Sequence, residues 1–290
     1  MITMLYYYNL KRIIEKLPQQ ATKSSDLSDD NVFNAATFPD LGRFYTQNLL
    51  KKDKYKLHYK IESDKFNEFL FECSQTFKKQ ANPEQLIYIY GFINHYYLKK
   101  NVDEYLSARI SRKKQYDYLT NMLDFYYTKI NDSYDLSKKT IYHKFPNGFN
   151  YTESMDDLIH NPLIKVFSFF GSNEYFTKAM KHKKTYYKSF TKKNIFKKIS
   201  FKFYDIIFNH KGKPKAKFYS YKNKVDTKIL NLQNKPYLVD DKTYNYSFKQ
   251  IMEKSYVEAY DVIKKLNNFF FFDDDKEYRK YFNIKKDQKI

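Results

Sequence analysis

Six histidines, one cysteine and a scatter of carboxylates are the side chains here that could hold a metal or move a proton. Their surroundings separate them. His143, His160, His182 and His210 stand in polar or basic stretches that point to the surface, and His160-Asn161-Pro162 reads as a helix end. His182, set among Lys181, Lys183 and Lys184, would have its charged form disfavoured by like charges. His58 and His95, each taken singly, read as hydrogen-bonded helix histidines. Lys99 and Asp103, four residues apart, read as an ion pair on one helix face. Cys73 falls in the apolar phase of Phe66, Phe69, Leu70, Cys73 and Phe77, which predicts a buried thiol rather than a nucleophile. A lone cysteine forms no internal disulfide, and that fits a reducing, cytoplasmic compartment. The chain carries no Walker loop, dinucleotide-binding glycine fingerprint, Gly-x-Ser-x-Gly elbow or Cys-x-x-Cys pair.

A second kind of chemistry is electrostatic. Lys and Arg number 53 against 33 Asp and Glu, a formal net charge of +20. Such an excess attracts polyanions, whether nucleic acid, an anionic membrane surface or an acidic protein. The joint enrichment in Lys, Asn, Tyr, Phe and Ile is also what an A/T-rich genome produces without selection for binding, and both readings stand. The charge is densest between Lys178 and Lys222. There Lys181, Lys183, Lys184, Lys192, Lys193, Lys197 and Lys198 alternate with Tyr186, Tyr187, Phe190, Phe196, Phe201 and Tyr204. Stacking rings among phosphate-binding lysines make a single-strand nucleic-acid surface. Helices with aromatic cores and solvated lysine faces have the same composition, and no RNP motif or zinc finger accompanies the stretch.

The elements that must position these groups are helices. Five Gly and seven Pro in 290 residues leave little turn chemistry for many short strands. With 27 Phe, 31 Tyr and no Trp, rings rather than Leu and Val must fill the core. The expected class is therefore all-α. Helices are predicted over Thr3–Leu17, Ser63–Lys79, from Pro83 onward behind an Asn82 cap, and over Ser111–Ile130. Further helices are predicted over Ser154–Phe170, Asn173–Phe190 and Lys193–Phe208, and from a Ser247 cap to about Leu266. Asn34 to Asp40 reads as a bend, because Pro39 disfavours helical geometry before it. His210 to Lys215 reads as a basic loop. The organisation expected is one helical domain over 1–268 and a charged, frayed tail over 269–290. No apolar run approaches the roughly 20 residues of a membrane span, and the N-terminus lacks the basic start of a signal peptide.

Two stretches carry a family resemblance. Tyr88-Ile89-Tyr90-Gly91-Phe92-Ile93-Asn94-His95-Tyr96-Tyr97-Leu98 resembles a helix of zinc-dependent phospholipase C proteins, in which an aromatic-glycine-phenylalanine lead runs into His-Tyr-Ala-Leu-Asp. Ile229-Leu230-Asn231-Leu232-Gln233-Asn234-Lys235-Pro236, with Tyr244 to Phe248 and the last helix, resembles the Leu-Asn-Leu-Asn segment and closing Ser-Phe helix of a bacterial phospholipase C-like subgroup. Asn34-Ala35-Ala36 with Phe38-Pro39-Asp40 is similar to an early turn of that family. His58 falls where the subgroup has a His ahead of a Phe-rich helix. The likeness touches most of residues 1–268.

The resemblance implies a helical bundle whose inner faces give His and Asp ligands to a zinc cluster. It also implies phosphodiester hydrolysis of phospholipids by zinc-activated water. Carried over residue by residue, the metal ligands it implies are Asp40, His58 and His95, with Asp103 as a fourth. The departures are large. Lys99 stands where the family has Asp, and Asp103 where it has a second His. Tyr116 and Thr120 stand in place of a His-x-x-x-Glu pair when Asp124 is matched to the Asp that follows it, and Tyr6 stands near an N-terminal His. A lysine one turn from His95 opposes a multi-metal cluster. The expectation is at most one weakly held zinc, with hydrolysis impaired or lost and catalytic residues unassigned. The alternative is a non-catalytic basic protein binding nucleic acid or an anionic membrane surface. Asp40, His58 and His95 must converge to within roughly 8 Å if they are to share one ion whose bonds are near 2 Å.

Overall fold

A computed structural model describes residues 3–22, 27–44, 61–109, 113–132, 153–168, 173–188, 227–239 and 242–285. In chain order these form α1 (Thr3–Ile14), α2 (Gln19–Thr22), α3 (Asp29–Thr37), a 3-10 segment (Phe38–Phe44), α4 (Phe66–Gln80), α5 (Pro83–Ser107) and α6 (Lys113–Asp132). There follow α7 (Glu153–Phe167), α8 (Asn173–Lys188), a 3-10 turn (Thr227–Leu230), β1 (Tyr237–Val239), β2 (Lys242–Tyr244), α9 (Phe248–Phe272) and α10 (Lys276–Phe282). The fold is all-α, the strands among the described residues making a two-stranded antiparallel hairpin in the register Tyr237↔Tyr244. Among the described residues no helix is long and apolar enough to cross a membrane. The helix expected over Lys193–Phe208 and the His210 to Lys215 loop, with His143 and His210, lie outside the described residues.

The chain folds as two compact units. The first comprises 1–5, 102–145 and 184–251. In it the carboxylate of Asp124, buried in α6, accepts the backbone N–H of Leu5 at 3.0 Å, one of the first-turn donors of α1 that lack a helical partner. Arg109 lies between the rings of Tyr105 and Tyr237, 3.8 and 3.7 Å from their centres. Asn231 ties the loop before β1 by donating to the carbonyls of Lys235 and Tyr246 and accepting the N–H of Lys235. Ser247 caps α9 as expected, in a box with Gln250: its N–H donates to Oε1 at 2.8 Å.

The second unit comprises 6–101, 146–183 and 252–290, and its core is aromatic. Phe38 packs on Tyr88, Phe92 and Phe176, and Phe69 on Phe92, at ring distances of 5.2 to 6.0 Å. Helix α5 is buried on every side from Gln85 to His95. Gly91 permits that at its tightest point, where an added Cβ would lie 2.3 Å from the carbonyl oxygen of Ala35 on α3.

Three local expectations are corrected. The chain does not bend at Asn34. Helix α3 runs through Thr37 into the 3-10 segment, where Pro39 sits in a first turn whose N–H groups need no helical acceptor. His160-Asn161-Pro162 does not end a helix, since Pro162 lies inside α7. A proline there leaves the carbonyl four residues back without its helical donor, and the buried Cys73 thiol donates to that carbonyl of Leu158 at 3.2 Å. The charged end is not frayed over 276–282. Phe269 and Phe270 are buried in α9, and Tyr278 of α10 stacks on Phe269 at 4.0 Å while sharing hydrogen bonds with Ser74 and Gln75.

Candidate metal centre

Asp40, Glu62 and His95 each offer a ligand atom, and these atoms lie within 4.8 Å of one another. All three belong to the second unit. Asp40 comes from the 3-10 segment after α3, Glu62 from the turn before α4, and His95 from the middle of α5, one turn beyond Gly91. The close approach of α3 to α5 at Ala35 and Gly91 is what carries Asp40 toward His95. Asp40 and His95 are buried, and Glu62 is 14 % exposed.

His95 is held on several sides. Its Nε2 lies 3.2 Å from Glu62 Oε1, and the ring of Tyr6 stacks on it at 4.1 Å and 24°. Tyr6 is fixed in turn, because Asn94 donates to its carbonyl at 2.9 Å while accepting from Asn9 at 2.7 Å. The other ring nitrogen, Nδ1, is buried and has no hydrogen-bond partner. A buried imidazole nitrogen left this way is a polar group for which the fold has supplied no acceptor or donor.

Two lysines attend the cluster. Lys99, one turn along α5 from His95, lies 3.9 Å from Glu62 Oε2, both side chains being about as little exposed. Lys183 of α8 is 3 % exposed, donates to Thr37 Oγ1 at 2.5 Å and stands 5.6 Å over the Phe33 ring. Burial lowers its pKa from 10.5 to about 7, against the pull of the Asp40 carboxylate, which raises it.

The donor set is one imidazole and two carboxylates. Three protein ligands with a remaining open position suit a single zinc or similar divalent ion. Donors around a tetrahedral zinc stand about 3.3 Å apart given bonds near 2 Å, so an ion would draw the three side chains together. The two lysines leave no room, electrostatically, for a cluster of ions.

Of the residues singled out from sequence, Asp40 and His95 are brought together. His58 lies outside the described residues. Asp103 is not of this group: it belongs to the first unit, where Tyr116 donates to its carboxylate. Lys99 reaches Glu62 as its ion partner. Of the basic stretch, Lys181 is exposed, whereas Lys183 is buried and its expected place on a polyanion-binding surface is corrected. Burial excludes its ammonium from contact with a phosphate backbone. The side chain of Lys184, and Lys192, Lys193, Lys197 and Lys198, lie outside the described residues. Sequence reasoning missed Glu62. Its signal was an acid four residues after His58, just ahead of the amphipathic period of α4. No protein-family model, curated protein or solved structure matches the chain.

Proposed function

We propose that this protein is a phospholipase C-like helical protein whose metal site has contracted to one divalent ion, zinc by preference, held by Asp40, Glu62 and His95. Hydrolysis of phosphodiesters is impaired or lost. One observation carries the reading: Asp40 and His95, picked out as ligands 55 residues apart in the chain (95 − 40), converge on one another together with a third candidate ligand, Glu62. Three further placements support it. Tyr6, near the position that the resemblance gives an N-terminal His, lies against His95. Tyr116 and Asp103, both at ligand positions by resemblance, meet one another. The Gly91 and Asn34-Ala35-Ala36 motifs pack together.

When bound, the ion supplies Lewis acidity toward a phosphate ester and activates water near neutral pH. The chain's own part is to place it. Tyr6 and Glu62 fix the His95 ring, Asp40 closes the set from the 3-10 segment after α3, and burial keeps water from Asp40 and His95. The substrate class implied is a phospholipid at an anionic membrane surface, to which the excess of positive charge draws the protein. The compartment that fits the single buried thiol is the cytoplasm.

The test is metal content by mass spectrometry of the zinc-loaded protein and of His95→Ala, followed by hydrolysis assays on phospholipid vesicles. One zinc per chain after loading, lost in His95→Ala, is the expected result. Equal metal in both, or none after zinc loading, refutes the site.

A further inference from the structure

We propose that Lys99 is a built-in competitor of the metal, an ammonium group that shares the Glu62 charge of the Asp40–Glu62–His95 cluster without an ion and so sets how weakly an ion is held. The inference rests on the single-ion reading above and adds what regulates that site.

Glu62 divides its two oxygens between rivals. Oε1 lies 3.2 Å from His95 Nε2 and Oε2 lies 3.9 Å from Lys99 Nζ. An ion seated against His95 takes Glu62 charge that Lys99 now shares. The Lys99 ammonium thus offsets one of the two carboxylate charges without metal. A divalent ion entering the cluster brings uncompensated positive charge into a site little reached by solvent, where such charge is costly. Without Lys99 the same two carboxylates would match a divalent ion. Lys99 therefore converts a resident cofactor site into a weak, exchangeable one.

The experiment titrates zinc by calorimetry and cobalt(II) by its visible absorption into the full chain, as wild type, Lys99→Met and His95→Ala/Lys99→Met. Lys99→Met should bind about a hundredfold tighter, and at least tenfold, from removal of a unit charge about 5 Å from the ion. Loss of His95 from that variant should abolish the gain. Unchanged affinity in Lys99→Met overturns the competition and leaves the site standing. No ion on any variant overturns the single-ion reading itself. Melting without metal guards against misfolding. Lys99→Met should lower Tm and Glu62→Gln/Lys99→Met should recover part of the loss; a double variant no better than the single one overturns the balancing role.

Discussion

Gly91→Ala adds one methyl group at the point where α5 meets α3, and the structure sets its cost. The new Cβ would stand 2.3 Å from Ala35 O and 2.6 Å from Ala35 C, where ordinary contact begins at 3.4 Å. About 1 Å of separation is needed, and the obstacle is backbone, which no side-chain rotation can move aside. Overpacking of this kind costs about 1–3 kcal/mol, and a backbone clash lies at the upper end. Against it stands the helix preference of Ala over Gly, about 1 kcal/mol. The net expectation is a loss of about 2 kcal/mol, read as a lower denaturant midpoint with unchanged slope. The same displacement moves Asp40 from His95, so zinc binding should fall more than stability alone would give. Trimming Ala35 to Gly should not rescue either effect, because the clash is with its carbonyl. An unchanged or raised midpoint, or rescue by Ala35→Gly, would refute the reasoning.

The remaining predictions concern Lys183, Cys73 and Tyr278. Lys183 has a native pKa near 7, below its usual 10.5, so the unfolded chain binds more protons between those values and stability rises with pH across that window. Relative to Lys183→Met the wild type should gain up to about 5 kcal/mol from pH 7 to pH 10.5; parallel pH profiles for the two would contradict this. Cys73→Ala strands the Leu158 carbonyl and should cost about 1–3 kcal/mol, of which Pro162→Ala should recover part by restoring the helical donor; strictly additive effects in the double variant would count against the pairing. Tyr278→Ala removes a fully buried ring and its bonds to Ser74 and Gln75, so thermal melting should show a loss of about 3–5 kcal/mol. A melting point within a degree of wild type would mean α10 does not belong to the core.

How far the sequence was legible depends on what each element needs. Helices α4 and α9 bury one stripe, so their period of three and four residues was plain, and Ser247 marked the start of α9. Helix α5 is buried all round near its middle and has no such stripe, yet its start was marked by Asn82, whose Oδ1 accepts the N–H of Glu84 at 3.0 Å. What could not be read was anything decided by a distant partner. Pro162 inside α7 is tolerated because Cys73, 89 positions earlier (162 − 73), supplies a donor. Lys183 looks like one lysine among many until the fold closes over it. Glu62 carried no spacing signal toward His95, since the turn before α4 delivers it. Asp40 and His95 were legible only through motifs, and their meeting depends on a glycine contact that no local pattern announces.

The second unit is drawn from three stretches of chain, and the one containing α10 is the last to be synthesised. Phe71, Phe77 and Ser74 on α4 acquire their partners Phe282, Phe270 and Tyr278 only when that stretch arrives. During translation α4 therefore waits with its aromatic face uncovered while more than a hundred further residues are added, many of them lysines. Closure between such distant stretches is slow, and an unpaired aromatic face is a site for off-pathway association. The protein's yield in a cell should depend on holdase chaperones acting on the nascent chain, and a clone truncated before α10 should accumulate as aggregate rather than as a shorter soluble protein.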